Sequence, residues 1–235
     1  TNINKPNLEH NSDDSFNFLK WSEIKQENKE DNVFECKFST YDFPLYEWVR
    51  LPEIKITEQE KKTVGARKNC SNYDFLRQVC YNGFKQKLEN GKIDKERYKE
   101  YVDRLKYELE TFLDLGFVDY VLAIWDIYQY AVKNEIPRGP GRGSVGGSLV
   151  FYMIGCIHLD PIGKELPMQL FFQRFISKVR AKKKEVDGIT YLDGELAPDV
   201  DLNVSVWRAG IVEWLNTIYP GRMSKISTFS TLTGK

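Results

Sequence analysis

Histidine is nearly missing: His10 and His158 are the only two in 235 residues. That excludes a histidine-rich metal centre and argues against a nucleophilic triad built on imidazole. Cysteine is also scarce. Cys36, Cys70, Cys80 and Cys156 form no CxxC pair, too few well-spaced ligands for structural zinc. Four scattered cysteines in a chain this long read as reduced thiols of a cytosolic protein. No stretch of about 18 residues or more lacks a charge, which excludes a membrane-spanning helix. The first 30 residues are polar and acidic, without the basic start and apolar run of a secretory signal. Net charge is absent as well, with 34 Lys+Arg against 34 Asp+Glu and a pI near 6.7. Any nucleic-acid surface must therefore be local and offset elsewhere.

What is present describes a folded chain. Hydrophobic residues make up 41%, aromatics 14% and charged residues 29%, which rules out disorder and low complexity. The length suits one large domain or two small ones. The sequence begins at Thr1 and closes on Gly234-Lys235 without a stop signal, so a fragment is expected.

Residues 1–32 are polar, with a short helix expected around Phe16, Phe18, Leu19 and Trp21. Val33, Phe34, Cys36 and Phe38 alternate in part, as a strand would. Pro44 and Pro52 then flank an extended aromatic connector. Residues 58–135 read as helical. Tyr73, Leu76, Cys80 and Phe84 share one face, and Tyr98, Val102, Leu105, Leu109 and Phe112 step by 4, 3, 4 and 3. Core packing accounts for nearly all of these. Gly116 is a helix stop and Asp119 an expected cap for the next helix, whose apolar side holds Leu122, Trp125 and Tyr128 or Ile127. Val145 to Ile157 suits a buried helix, and Trp207, Ile211, Trp214, Leu215 and Ile218 mark another that ends at Pro220-Gly221.

Between Pro137 and Val145 lies Arg138-Gly139-Pro140-Gly141-Arg142-Gly143-Ser144. Glycines let a backbone approach a ligand closely, and exposed N–H groups ahead of a helix bind anions. Ser144 offers a hydroxyl; Arg138 and Arg142 offer charge. Phosphate is the fitting ligand. The plainer alternative is a tight turn of small residues for close packing, and pattern alone does not choose. Gly141 to Gly146 matches GxGxxG, but no buried strand precedes it, so a nicotinamide-dependent oxidoreductase is disfavoured. No Lys follows the glycines, so it is not a Walker A loop.

Asp199-Val200-Asp201 alternates acid with apolar. In a strand both carboxylates project from one face, about 6–7 Å apart. Two held together favour a bound divalent cation, the arrangement of a magnesium site for phosphoryl transfer. The plainer alternative is a solvated strand end. Lys178, Arg180, Lys182, Lys183 and Lys184 form a basic cluster that either tracks a nucleic-acid backbone or is a solvated loop.

In order, Gly116-Phe117-Val118-Asp119-Tyr120, Ile124-Trp125-Asp126, Ile136 to Ser144, Gly147-Ser148-Leu149-Val150, Leu159-Asp160-Pro161, Phe172-Gln173-Arg174-Phe175, Pro198-Asp199-Val200-Asp201-Leu202 and Ile226 to Thr231 resemble the palm of bacterial DNA polymerase III alpha subunits, the C-family replicative polymerases. The resemblance spans at least residues 98–235. It implies an α+β fold: an incomplete polymerase-beta-like nucleotidyltransferase palm, with helices 58–157 packed on a mixed sheet holding Asp199 and Asp201. Residues 1–50 would be a remnant of the preceding polymerase-and-histidinol-phosphatase (PHP) domain and linker, 51–220 the N-terminal part of the palm, and 221–235 its end towards the thumb.

The resemblance further implies DNA-directed DNA polymerase activity in the bacterial cytosol or a phage-infected cell. Primer-template DNA and dNTP would be substrates. The thumb, fingers and C-terminal parts that meet a sliding clamp would be partners, and no membrane is involved. Asp199 and Asp201 would be catalytic residues and ligands to two Mg2+ ions, their third carboxylate lying beyond Lys235, so this piece alone should not polymerise. Gly143 and Ser144 would hold the triphosphate, and Arg142 and Arg174 would stabilise charge or structure. The lysine-rich segment between Phe175 and Pro198 is longer than is usual in the family, and Leu202-Asn203 replaces a further acid and Phe. The competing class is a non-catalytic module that keeps phosphate and DNA affinity without chemistry.

Overall fold

The computed structural model describes residues 48–51, 53–163, 166, 168–179, 183–193, 198–204 and 208–221. The expected helix near Phe16, the strand at Val33–Phe38, nearly all of the expected PHP remnant, Arg180, Lys182, Trp207 and residues 222–235 of the expected end of the palm lie outside them.

Among the described residues six helices are formed: α1 (Glu58–Val64), α2 (Asn72–Glu89), α3 (Tyr98–Leu115), α4 (Val118–Lys133), α5 (Leu149–Met153) and α6 (Arg208–Ile218). Their ends have local causes. Thr57 and Glu60 make a reciprocal capping box on α1. Ser71 caps α2 by accepting from the Asp74 N–H at 3.1 Å. At the other end of α2, Lys92 N–H returns to the Lys87 carbonyl and Gly91 N–H to Leu88, a Schellman closure.

The core is built around α5, all five of whose residues are buried. Removing each such side chain from water stabilises by about 1.5–3 kcal/mol. Phe75, Leu76 and Cys80 of α2, Phe112 of α3 and Val121 and Leu122 of α4 are also fully enclosed. Contact between α2 and α5 is at backbone distance: a β-carbon on Gly83 would fall 1.8 Å from the Met153 carbonyl oxygen. Phe112 anchors an aromatic cluster, edge-on to Phe172 at 5.4 Å, with Phe151 and Phe175 beside it.

The stripe expected on α3 is rotated. Leu109 and Phe112 are buried, whereas Tyr98 is 49% and Val102 38% exposed, and Tyr101 turns inward instead. Asp119 does not cap α4, because Phe117 holds that position. Its carboxylate accepts from Asn72 Nδ2 at 2.5 Å and from the Ile54 N–H at 3.5 Å.

A small sheet of order β1-β3-β2 comprises β1 (Trp48–Val49), β2 (Lys183–Val186) and β3 (Ile189–Asp193). Both pairings are antiparallel, and Asp187-Gly188 turns the β2–β3 hairpin with both residues at positive φ. The chain is thus helix-rich with a small sheet, compatible with α+β. The expected mixed sheet holding Asp199 and Asp201 is corrected. Among the described residues the sheet is antiparallel, and the aspartates lie outside it because their segment bridges to the glycine loop instead.

Candidate active site

The glycine loop leaves α4 and runs antiparallel to residues 198–204. Arg138 opposes Val204 and Arg142 opposes Asp201, while the Gly139 N–H donates to the Asn203 carbonyl at 2.8 Å. Only small residues permit this. A β-carbon on Gly139 would lie 2.7 Å from Asn203 Cβ, and one on Gly141 would lie 2.7 Å from Ile157 Cγ2. Gly143, at φ 77°, would carry its β-carbon 3.2 Å from Asp201 Oδ2.

The acidic segment has the alternation that its sequence implies. Asp199, Asp201 and Asn203 are exposed, whereas Val200, Leu202 and Val204 are half-buried. Val200 and Leu202 pack on the main core. The carboxylates therefore share one solvent face beside Arg142, Gly143 and Ser144, which are exposed too. Tyr120 of α4 donates its hydroxyl to the Pro198 carbonyl at 2.5 Å. Burial, then the charge of Asp199, pushes the Tyr120 pKa up and keeps the hydroxyl a donor.

Past Ser144 the expected continuous helix is broken. Gly143–Gly147 is a 3-10 turn, and α5 starts only at Leu149. Gly147 and Ser148 interrupt the run, so Ser144 sits in the turn and not at the end of a long helix. Half-buried Arg104 and buried Glu108 support this turn as a pair. Arg104 Nε contacts Glu108 Oε1 at 2.6 Å, and Arg104 Nη2 donates to the carbonyls of Gly147 and Leu170. Glu108 Oε2 accepts from Ser148 Oγ at 2.9 Å and Val150 N–H at 3.0 Å. Burial pushes the Glu108 pKa up; Arg104 and the Leu149 and Val150 N–H groups pull against it.

Arg174 stands exposed on a 3-10 turn (Phe172–Arg174) fixed by buried Phe172 and Phe175. This turn adjoins the glycine turn: a β-carbon on Gly147 would lie 2.7 Å from the Phe171 carbonyl. Arg138 goes elsewhere, its guanidinium lying over the Tyr128 ring at 5.6 Å. Lys178 pairs with Asp114 at the end of α3. Lys183 and Lys184 are exposed on β2. The structure thus joins Arg142, Gly143 and Asp201 at one locus, with Asp199 on the same face.

Among the described residues no group of three or more His, Cys, Asp or Glu side chains is placed to hold a metal. Two exposed carboxylates with an open face still fit Mg2+, which takes one or two carboxylates plus substrate phosphates and keeps several waters. No described helix is long and apolar enough to cross a membrane.

A family model described as the bacterial DNA polymerase III alpha NTPase domain matches residues 74–235. DNA polymerase III subunit alpha of Aquifex aeolicus is 42% identical over 114 residues, which are 48% of this chain and 9% of that protein. The subunit of the same name from Buchnera aphidicola of Acyrthosiphon pisum is 33% identical over 167 residues, 68% of this chain and 13% of that protein. That of Ureaplasma parvum is 31% identical, covering 71% of this chain and 15% of its own length. The chain therefore spans only a small part of the curated relatives that it matches.

Proposed function

This chain belongs to the bacterial DNA polymerase III alpha family, and from that premise we propose that residues 51–220 are the N-terminal part of a polymerase-beta-like palm. In the complete chain it would add dNTP to a primer 3′-hydroxyl. The observation that carries this reading is the apposition of Asp201 with Arg142 and Gly143, with Asp199 on the same solvent face.

Asp199 and Asp201 would hold two Mg2+ ions, with a third carboxylate from the remainder of the polymerase. When bound, the ions lower the pKa of the primer hydroxyl and neutralise charge on the triphosphate. The chain's own residues do the placing. Backbone N–H groups and the Ser144 hydroxyl cradle phosphate oxygens beside the carboxylates. Arg142 and Arg174 offset negative charge. Tyr120 fixes the main chain directly before Asp199. Residues 1–50 would close the preceding PHP domain, and 221–235 would lead to the thumb. The complete enzyme would work in the cytosol with a sliding clamp. Lys178, Arg180, Lys182, Lys183 and Lys184 would contact DNA, Lys178 only by exchanging its partner Asp114.

The test is primer extension by the complete polymerase chain with Asp199→Asn and Asp201→Asn beside it. The parent should extend with Mg2+, and each variant should lose at least about a thousandfold. Variants that extend like the parent overturn the assignment. A parent that binds primer-template DNA yet never extends it points instead to the non-catalytic module.

A further inference from the structure

We propose that Lys87, Lys92 and Arg138, with His158 beside them, form a second contact surface for a nucleic-acid phosphate backbone, on the flank of the glycine loop. This rests on the reading that the chain handles primer-template DNA, but it uses none of the residues assigned above to metal or triphosphate.

Three separate stretches of chain bring these side chains to one place. Lys87 lies in the last turn of α2, and the Schellman closure folds Lys92 back onto it through the 2.9 Å bond from Lys92 N–H to the Lys87 carbonyl. Lys87 Nζ then sits 4.4 Å from the centre of the Tyr152 ring of α5. His158 follows α5, and its N–H donates to the Pro140 carbonyl at 2.9 Å, which seats it against the glycine loop. Arg138 enters the same loop over the Tyr128 ring. Burial and the charges of Arg138, Lys87 and Lys92 hold the His158 pKa below its ordinary value, as expected for an imidazole crowded by cations.

Among the described residues, Lys87, Lys92 and Arg138 make no ion pair. The neighbouring carboxylate is Asp160, whose oxygens accept from the Tyr101 hydroxyl at 2.5 Å and the Ile162 N–H at 2.9 Å. Aromatic faces hold two of the cations in place without cancelling their charge. In a chain of zero net charge, three cations gathered in one place without an ion pair among the described residues favour a polyanion partner. A phosphate backbone fits better than an acidic peptide because the surface adjoins the loop that carries Arg142, Gly143 and Ser144.

The experiment measures binding of the 235-residue chain to a fluorescein-labelled primer-template duplex across a salt series. The triple variant Lys87→Gln, Lys92→Gln, Arg138→Gln is compared with a charge-matched control, Lys62→Gln, Lys99→Gln, Lys133→Gln. Circular dichroism checks folding, and Lys92→Glu alone serves if the triple variant does not fold. The triple variant should raise Kd roughly tenfold or more and lower the salt slope by about 3, one for each contact. Lys92→Glu should weaken binding in the same direction, and the control should stay near wild type. A folded variant with unchanged Kd and slope overturns the proposal. So does a control that weakens binding equally, a wild-type chain that does not bind, or polyglutamate competing as well as DNA. Primer extension by the complete chain is a separate readout, and patch-dependent binding stands even if extension fails.

Discussion

A β-carbon placed on Gly143 would lie 3.2 Å from Oδ2 of Asp201, closer than neighbouring atoms accept without moving. Gly143 is also at φ 77°, where a side chain strains the backbone by about 1–3 kcal/mol. Gly143→Ala should therefore displace the carboxylate as well as strain the turn. Primer extension by the complete chain should fall about tenfold, because the carboxylate must give by a few tenths of an ångström beside a turn that is itself strained. A rate within twofold of the parent would show that this contact does not matter.

Tyr120→Phe removes one oxygen from a half-buried bond and leaves the Pro198 carbonyl without its donor. Stability should drop by about 1–3 kcal/mol in denaturant titration. Single-turnover extension should slow while DNA affinity holds. Equal loss of both would make the tyrosine a packing residue only.

Arg104→Met strands the fully buried Glu108. The expected loss is about 3–5 kcal/mol, and Arg104→Met with Glu108→Met should recover part of it. If the double variant is no better than the single, Arg104 acts through its bonds to the Gly147 and Leu170 carbonyls and not through the pair.

Asp126 on α4 is half-buried, and burial followed by repulsion from Glu60 pushes its pKa up to about 6. A carboxyl group raised on folding binds more protons folded than unfolded. Its stabilising contribution is thus fullest below the unfolded value, near pH 4, and is lost as pH rises through about 6. Asp126→Asn should gain on the parent across that window and hold a constant advantage above it. Melting temperatures between pH 4 and 8 show this; a flat difference removes Asp126 as the cause.

Much of the site was legible because its signals are local. Period two in Asp199-Val200-Asp201 foretold the shared face, and the glycines foretold a backbone that approaches its neighbours closely. The supports were not legible. Tyr120 meets Pro198 across 78 residues and Glu108 meets Ser148 across 40, and pairings at such range leave no periodic trace. Asp119 was misread for a related reason: its capping preference is real, but a tertiary bond to Asn72 outcompetes it. The Asp187-Gly188 turn carried a readable hairpin signature inside the lysine-rich segment between Phe175 and Pro198.

Residues 198–204 are moored by main-chain atoms: the Pro198 carbonyl to Tyr120, the Asn203 carbonyl to Gly139, and bridges at Asp201 and Val204. None of these attachments uses a carboxylate. Shape and chemistry are consequently carried by different atoms of the same seven residues, so the acids can be exchanged for amides without unmooring the segment.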